Sequence, residues 1–111
     1  MDRTQRGKSA INQFLESNPA IKSKIETLSE SQANSLGISL QELRETQIEK
    51  EFSLYARNLG LDSYSLIVEL TAQTPEEKKA LLLEYYKEIA SALNIEWNDY
   101  LKDNPHLMSH F

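Results

Sequence analysis

The chain of 111 residues has no cysteine, three glycines, three prolines and two histidines. Without cysteine there are no disulfide frameworks, thiolate metal sites or thiol nucleophiles, and the composition fits a reducing compartment. So few glycines and prolines leave little material for hairpin turns, which favours long helices over strands. No apolar run approaches the roughly 20 residues needed to span a bilayer. Residues 1–8 are basic but lack the long apolar segment of a secretory signal, so the expected location is the cytoplasm, with no membrane partner. Both histidines, His106 and His110, fall in the last six residues, where neither serves as a central base. There is no glycine-rich phosphate loop.

What is present is ordinary for a folded protein: 40% hydrophobic and 26% charged residues, enough for one modest core. We expect a single helical domain over residues 1–111, with 1–4 and 104–111 flexible. The net charge of −5 is uneven. Residues 1–24 carry Arg3, Arg6, Lys8, Lys22 and Lys24 against Asp2 and Glu16, whereas the remainder holds seven cations against fifteen anions. Such a body repels nucleic acid at long range. The basic N-terminal stretch reads as the solvated side of a first helix.

One short phrase is written three times: Ala33-Asn34-Ser35-Leu36-Gly37-Ile38-Ser39, Ala56-Arg57-Asn58-Leu59-Gly60-Leu61-Asp62 and Ala90-Ser91-Ala92-Leu93-Asn94-Ile95-Glu96. Gly37, Gly60 and Asn94 stand where a left-handed residue closes a helix. Ile38, Leu61 and Ile95 then pack back on Ala33, Ala56 and Ala90, as in a Schellman cap. Ser39 and Asp62 are placed to cap the next helix. The phrases are unevenly spaced, so they mark recurring corners and not a solenoid.

Between corners the apolar period is helical. A first helix is expected from Thr4 to Ser17, with Ala10, Ile11, Phe14 and Leu15 on one stripe. Asn18-Pro19 ends it, Asn18 acting as N-cap of a second helix from Pro19 to Leu36. Ile21, Ile25, Leu28 and Leu36 form the seam of that helix, with Gln32 inside it. A third, capped by Ser39 and Glu42, runs to Leu59; Ile48, Phe52, Tyr55 and Leu59 make its main stripe, while Leu40, Leu43 and Leu54 point elsewhere. A short, nearly all-apolar helix covers Ser63–Gln73. Thr74-Pro75-Glu76-Glu77 opens a helix to Leu93 that we expect at the centre of the fold. A last helix over Glu96–Asp103 puts Trp97, Tyr100 and Leu101 on one face. The fold class is all-α, a compact orthogonal or irregular bundle of five to six helices.

Reactive constellations are sparse. Glu42, Glu45, Glu49 and Glu51 crowd one helix and Asp99 and Asp103 another, but paired acids catalyse only inside a cleft that separates their pKa values, and nothing apolar flanks these. Asp103, His106 and His110 have partial metal-ligand spacing, yet Pro105 breaks the helix that would align them. We therefore expect no catalytic residue, metal or cofactor. Two corners also match the helix-turn-helix spacing, through Ala33, Gly37 and Leu43 and through Ala56, Gly60 and Leu66. The second helices are wrong for reading DNA: Leu40–Lys50 sets Glu42, Glu45 and Glu49 against Arg44 and Lys50, and Ser63–Gln73 has no cation. The aromatic pairs Tyr85/Tyr86 and Trp97/Tyr100 suit either core or interface.

Leu70-Thr71-Ala72-Gln73-Thr74-Pro75-Glu76-Glu77, followed by Ile89-Ala90-Ser91-Ala92-Leu93-Asn94-Ile95-Glu96-Trp97-Asn98-Asp99-Tyr100, resembles a small bacterial family catalogued as a domain of unknown function. That family favours Gly-hydrophobe-Asp at the last corner, where this chain has Asn94-Ile95-Glu96. The resemblance implies a stand-alone bacterial cytoplasmic protein and transfers no activity and no functional residues. From the residues themselves the leading expectation is a non-catalytic protein–protein interaction or regulatory module, acting on an unidentified partner or by self-association. Leu40, Leu43, Leu54, Tyr86, Trp97 and Tyr100 are its candidate surface. A helix-turn-helix-like nucleic-acid regulator is the alternative.

Overall fold

Each corner phrase does what its residues demand. In a computed structural model that describes residues 2–110, Gly37, Gly60 and Asn94 adopt φ of 71°, 76° and 57°. At each of these points two backbone bonds close the helix. The N–H of Gly37 donates to Asn34 and that of Ile38 to Ala33, both at 3.1 Å. Gly60 and Leu61 reach Arg57 and Ala56, and Asn94 and Ile95 reach Ser91 and Ala90. These are the two bonds of a Schellman cap. The alanines are buried to within 2% exposure, so each corner turns about a small residue that lets the backbones approach.

Seven α-helices and one short 3-10 helix form among the described residues, with no strand: α1 (Arg3–Ser17), α2 (Pro19–Glu26), α3 (Glu30–Ser35), α4 (Leu40–Asn58), α5 (Ser63–Thr71), α6 (Pro75–Ala92), α7 (Trp97–Asp103) and the 3-10 helix Pro105–His110. The fold is all-α. Seven helices replace the five or six expected because the segment 19–36 breaks in two. The Oγ of Ser29 accepts the Gln32 N–H at 3.2 Å, and Gln32 Oε1 accepts the Ser29 N–H at 2.8 Å. Gln32, an oddity on the apolar seam, is half of a capping box that starts α3.

Asn18 also departs from expectation. It makes no side-chain cap for α2; its Nδ2 donates backwards to the Phe14 carbonyl at 2.7 Å and so closes α1. Asn104 repeats this before Pro105, donating to the Tyr100 carbonyl at 2.9 Å. Proline keeps the preceding residue out of the α region, and the asparagine amide then reaches a carbonyl left over at the helix end. Asn-Pro is thus a second corner type in this chain. After Asn104 the 3-10 helix spans Pro105–His110, with Leu107 buried. The side chains of Met108, Ser109 and His110 lie outside the described residues.

The chain divides into two compact units, Met1–Thr71 and Ala72–Phe111. In the first, Ala10 and Phe14 of α1, Phe52 and Ala56 of α4 and Leu66 of α5 form the core, with Ile11, Leu15, Ile21, Leu61, Ile67 and Leu70 packed around them. Phe14 meets Phe52 edge to face at 5.3 Å, a favoured aromatic geometry. Burying a side chain such as Phe14 or Leu66 stabilises by about 1.5–3 kcal/mol. The stripe of α4 differs from the expected one. Phe52 and Ala56 are buried, whereas Tyr55 and Leu59 are 38% and 55% exposed. Leu59 is the capping residue of its corner, and the chain turns at Gly60 to pack Leu61 on the core instead.

The second unit carries α6 and α7, which pack on each other, and the 3-10 helix, which packs on α7. The Oγ1 of Thr74 accepts the Glu77 N–H at 3.0 Å, with Pro75 at the first helical position, as the sequence predicts. α6 is the long helix of the second unit.

Candidate interaction surface

Leu40, Leu43 and Leu54 lie within an arc of about 60° on α4, but they do not form one apolar strip. Leu40 and Leu43 are half-buried on the first turn, on the helix that α3 packs against, and Leu54 is 42% exposed. Between them come Gln47 and Glu51. The Nε2 of Gln47 donates to Glu51 Oε1 at 3.0 Å, and Lys24 of α2 donates to the same oxygen at 2.8 Å. The Lys24 ammonium, followed by the Gln47 amide, holds the Glu51 carboxyl below the ordinary carboxylate range. Arg44 Nη2 reaches the carbonyl of Glu26 at the end of α2, at 3.4 Å. The middle of this face is therefore where α2 docks.

The large apolar side chains left exposed on α4 lie towards its C-terminal end. Leu54, Tyr55 and Leu59 fall within an arc of about 140° over the last turns. Sequence reading placed Tyr55 and Leu59 in the core; the usable signal was the position of Leu59 beside Gly60, where a helix stops and cannot bury its last side chain. Leu36 and Leu93, the capping residues of the other two corners, are likewise exposed, at 65% and 58%.

In the second unit Tyr86, Trp97 and Tyr100 are half-buried. Trp97 stacks on Tyr100 with centroids 5.9 Å apart, and the Lys87 ammonium lies 5.8 Å from the Trp97 ring. Tyr85 and Tyr86 tilt against each other at 5.1 Å. Part of each of these side chains is covered and part is wet.

Of the N-terminal cations Arg3, Lys8 and Lys24 are exposed, as the sequence implies, and Arg6 departs from it. Arg6 is buried, its Nη1 donating to Thr71 Oγ1 at 3.1 Å at the end of α5, where a cation complements the helix dipole. Arg3 lies over the Tyr64 ring at 5.3 Å. Lys22 donates to Glu16 at 2.8 Å; the pairing lowers the Glu16 carboxyl and raises the Lys22 ammonium. Lys8 has no ion pair or hydrogen-bonded side-chain partner among the described residues. Beside it, Gly7 and Ile11 border two depressions that sequence reading missed; a glycine inside a good helix was the available signal.

The carboxylates Glu42, Glu45 and Glu49 are exposed, as are Asp99, Asp103 and His106. Among the described residues no three potential ligands come together to hold a metal ion, and no helix is long and apolar enough to cross a membrane. His110, the other candidate ligand, has its side chain outside the described residues.

No curated protein and no solved structure significantly matches the chain. A family model does match, over residues 1–105, nearly the full length of this all-helical chain; the protein belongs to the family of unknown function DUF6388.

Proposed function

We propose that this chain is a non-catalytic interaction module of the cytoplasm, which presents helical surface to another protein or to a second copy of itself. The observation that carries this reading is the exposed group Leu54, Tyr55 and Leu59 at the end of α4. Single exposed apolar residues are normal on a protein surface, but neighbouring large ones on one helix end form a patch that gains by being covered. Aromatic and aliphatic side chains of this kind anchor protein interfaces.

Photo-crosslinking in the native host tests it. A photoreactive residue at position 54 or 59 gives a discrete crosslinked species, and one at Gln41, exposed and about 20 Å from position 54 along the same helix, gives none. Equal, diffuse labelling from all three positions refutes the reading.

A further inference from the structure

We propose that the protein pairs with a second copy of itself through a trough on the first unit, centred on Gly7. This goes beyond the surface at the end of α4, with which the trough shares no lining residue. Two depressions meet at α1: one of about 390 Å³ bordered by Arg3, Lys8 and Asn12, the other of about 250 Å³ bordered by Glu49, Ser53, Ser63 and Ile67. Gly7 and Ile11 line both, so the two form one trough crossing α1.

Glycine is among the poorest residues for a helix interior, and nothing inside the molecule calls for it here. Gly7 has no positive φ, and a Cβ built on it meets nothing within 4 Å. Neither a turn nor internal packing accounts for the missing side chain. Close approach of another backbone does.

The charges on the lips identify the occupant. Lys8 stands on one side and Glu49 on the other, and neither has an ion pair or hydrogen-bonded side-chain partner among the described residues. A two-fold axis near Gly7 brings Lys8 of each copy to Glu49 of the other, twice over, with Ile11 and Ile67 supplying apolar floor. Opposite unpaired charges flanking a shared centre are self-complementary, as an isologous contact requires. An acidic partner helix would satisfy Lys8 but repel Glu49, and an apolar ligand would answer neither charge.

Light scattering on the full chain across the micromolar range, at low salt, tests the pairing. The expected mass is twice the 12.8 kDa of one chain. Gly7→Leu, which fills the trough, and Lys8→Glu, which opposes Glu49, each weaken association by about tenfold or more, with unchanged circular dichroism. Combining Lys8→Glu with Glu49→Lys restores it. A dimer indifferent to all three variants overturns the proposal. A strict monomer that still crosslinks from position 54 or 59 overturns the pairing and leaves the interaction reading standing. A monomer that crosslinks specifically from neither overturns both.

Discussion

Alanine at Gly7 and alanine at Gly60 should shift stability in opposite directions. Both glycines lie in the first unit, and a Cβ at either meets nothing within 4 Å, so packing cannot separate them. The backbone does. Gly7 sits within α1 with no positive φ, where alanine stabilises by about 1 kcal/mol through helix propensity and reduced freedom of the unfolded chain. Gly60 is held at φ 76°, where a Cβ crowds the following carbonyl and costs roughly 1–2 kcal/mol. The two variants should therefore differ by about 2–3 kcal/mol. For a unit of this size, 1 kcal/mol moves the midpoint by roughly 4–8 °C. Urea unfolding followed by far-UV circular dichroism reads both, on dilute protein in high salt so that association adds nothing. Shifts of the same sign, or a neutral Gly60→Ala, would mean that the corner relaxes freely and is no fixed hinge.

The third corner offers a graded version: Asn94→Gly should stabilise the second unit by about 0.5 kcal/mol and Asn94→Ala destabilise it by about 1 kcal/mol, because asparagine tolerates φ 57° less well than glycine and better than alanine. Equal effects of the two changes on the thermal midpoint would contradict the cap. Ser29→Ala removes the acceptor that starts α3 and should cost about 1 kcal/mol in the same urea assay, while Ser31→Ala next to it stays near neutral. Glu51 has a folded pKa below its unfolded one, so its contribution is complete above the ordinary carboxylate range and disappears as pH falls through the lowered folded value. Glu51→Gln should consequently be less stable than the parent at neutral pH, with the gap closing on acidification through that range; a gap independent of pH would show that the Lys24 contact contributes nothing.

Helix boundaries were legible wherever their cause is local. The Ala-x-x-Leu-Gly corner spans a few residues and its bonds close within that span, so Gly37, Gly60 and Asn94 could be placed without knowing the rest of the fold. The break at Thr27–Ser29 was equally local but was hidden by the longer apolar seam from Ile21 to Leu36, which implied continuity; the Ser29/Gln32 pair outweighed it. Asn18 was misread because two local motifs compete for one residue, and the carbonyl behind it won over the helix ahead. Which helices pack together was less legible, because α1 meets α5 through residues far apart in the sequence.

The roles of individual surface side chains were less legible for a related reason, and the N-terminal cations make the point. Their partners lie six residues away for Lys22, 27 for Lys24 and 65 for Arg6. A run of basic residues met as a sequence is one feature, read first as a wet helix face. Folding sorts it into separate roles: Arg6 closes the end of α5, Lys22 and Lys24 fasten α2 to its neighbours, and Arg3 covers Tyr64. Only after those contacts are assigned does Lys8 stand out, beside a glycine that α1 would be more stable without. A docking surface is what remains once internal needs are met, and internal needs are non-local. Leu40 and Leu43 are half-buried on the helix that α2 and α3 pack against, and towards the far end of that helix Leu54 and Leu59 stay exposed.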